Sequence, residues 1–247
     1  FTIGIDGRSD HISPVGLYKT TQRKLTETVR EDVVTQNSIS LWAQNETRWT
    51  PSIRTIIGAR ADFYQFDVKS NVAANSGKAH DEKISPKVSL IYSPTKSAEF
   101  YANYGAGFHS NDARGTTITV DPVDRTTPVS KVDPLVKAIG SELGIRTQLA
   151  KDWSSSLALW KLNMASELLF IGDAGTTEPS SPSKRYGVEW NNFYAINNNI
   201  SFDLDLAWAH SRFVIEENQQ SFIPGAVVTT ANIGLTFDNQ GPWFGSI

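Results

Sequence analysis

The feature that most constrains the fold of this chain is a two-residue alternation between apolar and polar side chains. It is clearest from Ile200 to His210, where every second residue up to Trp208 is apolar and the residues between are serine, aspartate or alanine. Successive side chains of a β-strand point to opposite faces of the sheet, so this stretch predicts a strand with one apolar and one polar face. Its length also matches the roughly 9–11 residues that a tilted transmembrane strand needs.

The same alternation recurs from one end of the chain to the other, and a long helical periodicity is hard to find. The sequence predicts ten strands from it, near residues 1–7, 35–49, 57–64, 84–93, 98–108, 143–149, 154–167, 184–196, 200–210 and 231–237, and an eleventh that begins near Gly241. The pattern therefore predicts an all-β protein.

The connections between the predicted strands alternate in length. Short turns of typical turn residues fall at residues 50–52, 93–97, 150–152 and 197–199. Long polar links lie near residues 8–34, 69–83, 109–136, 168–183 and 213–225. Such loops are uncommon in compact soluble domains, whereas outer-membrane β-barrels join their strands by short periplasmic turns and long extracellular loops. This favours a transmembrane barrel, with a soluble β-sandwich as the alternative that the pattern leaves open.

Composition excludes several other classes of protein. The 247 residues contain no stretch near the roughly 20 consecutive apolar residues of a membrane-spanning helix. With 23 basic and 26 acidic residues the net charge is -3, which argues against nucleic-acid binding. Because cysteine is absent, disulfide scaffolds, thiolate metal sites and cysteine nucleophiles are excluded.

Tryptophans are placed where a membrane barrel would use them. An interfacial aromatic girdle would recruit those in or beside the predicted strands. These are Trp42, Trp49, Trp153, Trp160, Trp190 and Trp208. In a sandwich the same side chains would be core or cross-strand aromatics.

Several fragments, taken in order, resemble the barrel of TonB-dependent outer-membrane receptors. They are Ser40-Leu-Trp-Ala-Gln-Asn-Glu46, Gly58–Asp62, Ser85–Leu90, Phe100–Gly115, Glu142–Arg146, Gly187–Trp190 and Ile223–Gly225. The resemblance covers nearly the whole chain. It implies an antiparallel transmembrane β-barrel of outer-membrane type, of which this chain is about ten to eleven strands out of about 22. We expect residues 1–247 to be part of that barrel, without a plug domain or TonB box and incomplete at both ends.

The resemblance also implies a function, a location and a set of partners. The function is TonB-dependent active uptake, across the outer membrane of a Gram-negative cell, of a scarce ligand such as a ferric siderophore, haem or cobalamin. No enzymatic activity and no cofactor are expected. The implied partners are outer-membrane lipid, an N-terminal plug domain and the TonB complex in the full-length protein, and a small-molecule or metal-chelate ligand, but no nucleic acid. The alternatives are a passive porin-like or structural outer-membrane barrel and a soluble all-β binding domain.

Candidate ligand-binding residues lie in the predicted long loops or at their rims. They are His11, His80, His109, Asn111, Asp112 and Arg114. No two histidines have the spacing of metal ligands, so no metal site is predicted. Asn111, Asp112 and Arg114 have an alternative role, which is to order the start of a loop through local hydrogen bonds. We expect the loops near 8–34 and 109–136 to form an outer vestibule.

Charged residues on the polar faces of the predicted strands are expected to line the lumen. They are Arg60, Asp62, Glu142, Arg146, Glu189, Asp203 and Asp205. Buried charges need partners, so we expect these residues to pair across neighbouring strands or with a plug rather than to bind ligand.

Overall fold

Antiparallel β-strands make up most of the chain in the computed structural model, which describes residues 1–171, 176–214, 221–239 and 241–247. The strands are β1 (Thr2–Thr21), β2 (Lys24–Arg48), β3 (Ile53–Ser70), β4 (Gly77–Thr95), β5 (Ala98–Ser110), β6 (Leu135–Ala150), β7 (Trp153–Met164), β8 (Leu168–Ile171), β9 (Thr176–Pro179), β10 (Ser183–Ala195), β11 (Ile200–Phe213), β12 (Thr229–Asp238) and β13 (Phe244–Ser246). A 3₁₀ turn covers Ala73–Asn75 and a short helix, α1, covers Ala113–Thr117. Among the described residues, no helix has the length and hydropathy that crossing a membrane requires.

Eleven of these strands form one sheet in which each strand pairs with its neighbours in an antiparallel manner. Its order is β1-β2-β3-β4-β5-β6-β7-β10-β11-β12-β13, and β8 and β9 form a separate hairpin. The prediction of an antiparallel sheet of ten to eleven strands is confirmed. The sheet is open, with β1 and β13 as its two edges.

The strand register collects the apolar residues on one face of this sheet, which we call the outer face. Leu41 is paired with Ile5 in β1 and with Ala61 in β3, and Leu204 is paired with Ile233 in β12. Directly paired residues share a face, so the separate alternations merge into one apolar surface. It is widely exposed, with exposed fractions of 65% for Ile5, 53% for Leu41 and 66% for Ile233. An apolar surface of this extent fits contact with lipid.

The tryptophans divide between the two faces. Of the six tryptophans considered for the girdle, four are exposed, namely Trp49, Trp153, Trp190 and Trp208. Trp243, near the end of the chain, is exposed as well. The girdle prediction is wrong for Trp42 and Trp160, which alternate with outer-face residues and point to the opposite, inner face. Each lies against a glycine: a Cβ added at Gly4 would be 2.4 Å from the Trp42 ring, and one at Gly187 would be 2.7 Å from the Trp160 ring. Because glycine has no side chain, the indole rings of Trp42 and Trp160 can lie close to the backbone of the sheet.

The prediction of a long loop at residues 8–34 is wrong. β1 and β2 continue through it to a tight turn at Gln22 and Arg23, which have φ values of 49° and 66°. Here both faces of the hairpin carry mainly polar residues, so hydrophobic periodicity does not mark the strands. Side-chain pairs across the strands take its place, such as the ion pair between Lys19 and Glu27 at 2.9 Å.

The remaining connections follow the prediction more closely. Of the predicted link 69–83, residues 71–76 join β3 to β4, and the rest is strand. The link 109–136 is a true loop at residues 111–134, interrupted by α1. The links 168–183 and 213–225 include residues 172–175 and 215–220, which lie outside the described residues.

The connections define two ends of the sheet. We call the end with residues 22–23, 71–76 and 111–134 the loop edge. We call the opposite end, with the short turns at 49–52, 96–97, 151–152 and 196–199, the turn edge.

The assignment of faces can be tested in β11, in the complete barrel that contains this chain. Replacing Leu204 by Arg puts a charge on the outer face and should lower the free energy of unfolding by about 2–4 kcal/mol near the bilayer midplane. Asp203→Asn, a matched change on the inner face, should have a much smaller effect. Denaturant titration of both variants refolded into lipid vesicles measures the difference. A harmless Leu204→Arg together with a damaging Asp203→Asn would mean that the faces are inverted.

Candidate functional site at the loop edge

The loop at residues 111–134, which we call the inner loop, packs against the inner face of the sheet. Val34 and Val68 are directly paired and lie on the same face as Asp62. Together with Phe66, Ala113 of α1 and Leu135 at the start of β6, they form a buried apolar cluster. The inner loop is therefore held at the loop edge by a small hydrophobic core of its own, above the lumen.

Asn75 anchors the inner loop from the connection between β3 and β4. Its side chain is fully buried; it donates a hydrogen bond to the Val120 carbonyl at 2.9 Å and accepts from the Thr119 and Val120 amides at 2.9 and 3.0 Å. The Thr117 hydroxyl donates to the Asn75 backbone carbonyl at 2.9 Å. These bonds join residues more than 40 positions apart, so the loop is fixed to a second connection rather than only to itself.

A buried ion pair lies beneath the same loop. Arg30 and Asp32 in β2 are each about 1% exposed, and the Arg30 Nε donates to the Asp32 carboxylate. Arg30 also donates from Nη2 to the Arg114 carbonyl at 3.3 Å. Removing one partner of a buried pair leaves an uncompensated charge, so the pair helps to specify where the loop sits. Because the sequence predicts a loop at residues 8–34, it gives no sign that Arg30 and Asp32 form a buried ion pair.

His109 and Asn111 close the base of the inner loop. His109 Nε2 lies 3.2 Å from the Asn111 side-chain oxygen, and the Asn111 amide donates to the Asp133 carbonyl at 2.6 Å. The Asn111 backbone amide donates to the Pro134 carbonyl at 2.9 Å. One residue thus holds both ends of the loop together.

Asp112 and Arg114 order the first turn of the inner loop. Asp112 caps α1 by accepting from the Arg114 amide at 2.9 Å, and the Arg114 Nη2 lies 2.6 Å from the Asp112 carboxylate. Burial acts to raise the pKa of Asp112, but the hydrogen bonds and positive charge of Arg114 outweigh it, so the pKa is lowered. The contacts of Asn111, Asp112 and Arg114 fit the alternative role given to them from the sequence, that of ordering the start of the loop.

The remaining two candidate histidines lie elsewhere. His11 is in β1 and His80 in β4, not in loops as predicted. They line one cavity of about 480 Å³ with Lys69 and Lys78, and strand alternation places them on the outer face. The structure therefore places His11 and His80 on the same cavity, three strands apart, and separates them from His109. Within the described residues there is no group of three His, Cys, Asp or Glu side chains that could hold a metal ion.

All seven predicted lumen charges lie on the inner face by strand register. Arg60 bonds to Asp62 at 2.8 Å and to Asp6 at 2.5 Å. Nearer the turn edge, Glu99 is 3.3 Å from Arg146.

The predicted charges on β10 and β11 have no such ion pairs. Asp203 and Asp205 each lie 3.4 Å from the Asn232 amide, and Glu189 has no hydrogen bond or ion pair within the described residues. These three carboxylates leave an acidic stretch of lumen wall.

Comparison with protein families gives the class of the molecule. The model of the family described as TonB dependent receptor-like, beta-barrel matches residues 2–247, so the chain belongs to that family. This is a family of receptors and transporters rather than enzymes. A search of curated protein sequences finds no significant match.

Solved structures agree on the fold. The chain is similar to the copper transporter OprC, with a TM-score of 0.69 at 15% identity over 95% of this chain and 38% of that one. It is also similar to the ferric yersiniabactin uptake receptor FyuA from Yersinia pestis, with a TM-score of 0.70 at 14% identity over 95% and 36%. The ferric citrate transporter FecA gives a TM-score of 0.66 at 14% identity over 95% and 36%. The chain thus spans well under half the length of these proteins.

Asn75→Ala should release the inner loop while leaving the sheet intact. The change removes four hydrogen bonds of a buried amide, including a longer one from the Thr119 hydroxyl, and each contributes about 0.5–1.5 kcal/mol. Hydrogen exchange of residues 113–132 should accelerate, whereas exchange in β2 and β3 should stay slow. Asn197→Ala is the matched control, because Asn197 accepts two backbone hydrogen bonds in an exposed turn at the turn edge. Equal protection of residues 113–132 in both variants would contradict the anchoring role.

The contribution of Asp112 to loop stability should depend on pH. Because the pKa of Asp112 is lower in the folded loop than its unfolded value of about 3.9, its contribution to stability is fully present above that value and is lost as the pH falls through the folded pKa. Hydrogen exchange of residues 113–117 should therefore differ between wild type and Asp112→Asn by a constant amount at neutral and mildly acidic pH. The difference should vanish at lower pH. A difference that grew with acidification would contradict the sign.

Proposed function

We propose that this chain is part of the ligand-facing wall of an outer-membrane receptor that takes up a scarce ligand with energy from the TonB complex. Such a ligand is a ferric siderophore, haem or cobalamin. The observation that carries the proposal is the inner loop, an ordered segment fixed over the lumen side of the sheet. Long loops of outer-membrane barrels face the outside, so the loop edge is the entry side. Family membership supports the same reading.

The tip of the inner loop is the part offered to a ligand. Residues 123–128 are exposed, and the Asp124 carboxylate holds them in a turn by accepting from the Thr126 and Thr127 amides, each at 2.8 Å. The Thr127 hydroxyl and these amides lower the pKa of Asp124 to about 2, so the turn persists at any physiological pH. Arg125 is thereby displayed at the tip. A pre-ordered loop loses less entropy when it binds, which favours recognition of a dilute ligand.

We further propose that the chain is joined by more strands and by a plug domain in the complete protein. An open sheet leaves the backbone groups of β1 and β13 unpaired at its edges, and within a membrane such groups must be satisfied. The acidic stretch at Glu189, Asp203 and Asp205 would meet basic residues of the plug. The share of 36–38% of the solved structures that the chain covers supports this arrangement.

Uptake measurements on cells that express the complete receptor test the proposal. Ferric citrate, haemin and cyanocobalamin are offered at nanomolar concentration, with and without an uncoupler of the proton-motive force. Accumulation of one of them that stops with the uncoupler supports an energised receptor. A protein that conducts ions steadily in a planar bilayer and takes up solutes regardless of the uncoupler would be the passive porin-like alternative.

Release of the inner loop should weaken ligand binding more than it weakens the barrel. In the same cells, Asn75→Ala should raise the Kd for the accepted ligand about tenfold or more, since the ligand must then order the loop on binding. Asn197→Ala should leave the Kd unchanged. Binding is measured on intact cells at low temperature, where transport is arrested. An unchanged Kd in Asn75→Ala would place the ligand contacts outside this loop.

A further inference from the structure

Three cations lie together on the outer face at the loop edge, and we call them the basic patch: Lys161 in β7, Lys184 in β10 and Arg212 in β11. Lys184 is directly paired with Arg212. Lys161 is directly paired with Tyr186, two residues along β10 from Lys184. Strand alternation puts all three on the face of Trp208 and Leu204, so they point away from the lumen.

The basic patch has no counter-charge in the described part of the chain. None of its three members forms an ion pair there. Arg212 donates to the Ser211 carbonyl at 2.8 Å, and its guanidinium lies 3.9 Å above the Phe222 ring. The nearby carboxylate of Glu167 bonds instead to Arg185, at 2.6 Å.

The direct pairing of Lys184 with Arg212 favours the binding of an anion at this position. Side chains in opposing positions of an antiparallel pair have Cβ atoms about 4.5–5.5 Å apart, and like charges placed so are destabilising. An anion held between the two cations would turn that repulsion into attraction. Lys161 is the diagonal neighbour of Lys184, about 7–8 Å from it, and is within reach of the same anion.

Aromatic rings fix the depth of the basic patch relative to the apolar surface. The Tyr186 ring lies 6.0 Å from the Trp208 ring and 5.0 Å from the His210 ring. In the strand register Tyr186 is level with Lys161 and lies two residues from Lys184 toward the lipid-facing surface. Tyrosine and tryptophan gather at the level of lipid headgroups, so the patch lies at the depth of their phosphates. At the turn edge Trp153 and Tyr194 pack 6.1 Å apart. The lysines at that edge, Lys96 and Lys151, lie in the turns.

We propose that the basic patch binds the phosphate of an anionic lipid in the membrane leaflet at the loop edge. Lys184 and Arg212 clamp the phosphate, Lys161 adds a third positive charge, and the acyl chains run along the apolar surface below Tyr186. The inference rests on the outer-membrane location in the proposed function. It adds a specific lipid site to the wall of the receptor, on the opposite face from the ligand path.

Native mass spectrometry of the complete receptor in a non-ionic detergent tests the site, with dioleoyl phosphatidic acid as the probe. The variant Lys161→Gln/Lys184→Gln should weaken binding about 30-fold, from roughly a fivefold contribution per lysine near a lipid surface. Lys96→Gln/Lys151→Gln removes the same charge at the turn edge and should leave binding unchanged. The conservative pair Lys161→Arg/Lys184→Arg should keep the affinity, and heat-modifiable migration in gels confirms that each variant is folded.

Three results would overturn the lipid site. The first is that both Gln variants bind the lipid as tightly as wild type. The second is that both Gln variants lose lipid affinity equally. The third is displacement of the lipid by inorganic phosphate at a similar concentration, which would indicate a site for a free anion. If the Gln variant does not fold, Arg212→Gln is measured in its place against the same control. Failure of the proposed function is recognised separately, because the wild-type protein would then be missing from the outer-membrane fraction or take up ligand without an energy requirement.

Discussion

The structure depends on one constraint, the continuous antiparallel hydrogen-bond ladder that joins each strand to the next. In a membrane every backbone amide and carbonyl needs a partner, and a sheet provides them strand by strand. The ladder also decides which side chains meet lipid, because a slip of one residue exchanges the two faces of a strand. The pairing of Leu41 with Ile5 and Ala61, and of Leu204 with Ile233, shows that apolar residues of neighbouring strands stay in register on the outer face.

The constraint is weaker at the loop edge, where the molecule builds a second kind of structure. Strands β1 to β4 extend there with mainly polar faces, and the inner loop covers their inner side. The loop is held by a small apolar cluster, the buried amide of Asn75 and the ion pair of Arg30 with Asp32. A lumen wall made of ion pairs, such as that of Arg60 with Asp62, continues below it. A receptor needs both parts: a wall whose faces are set by lipid and by strand register, and an ordered segment at the entrance.

The sequence predicts strands correctly where one face of the strand is apolar, and it fails where both faces are polar. The sequence predicts residues 200–210 correctly as a strand. It predicts a loop at residues 8–34, where the structure has strands, because the cross-strand contacts there are polar, like that of Lys19 with Glu27. The placement of His109 at a loop base followed from its position after a recognisable strand. The local sequence does not show that Asn75 anchors the inner loop, because its hydrogen-bond partners at Thr119 and Val120 are more than 40 residues away.

The sequence by itself determined that the chain is built of β-strands with one apolar and one polar face, which strands it contains near its middle, and which residues within one strand share a face. These properties are local, because alternation and turn residues act within about ten positions. Only the tertiary structure decided that His11 and His80 share the outer face, that the inner loop lies over the lumen, and that Lys184 stands opposite Arg212. Those facts follow from register and from contacts between distant segments, which a one-dimensional pattern does not contain.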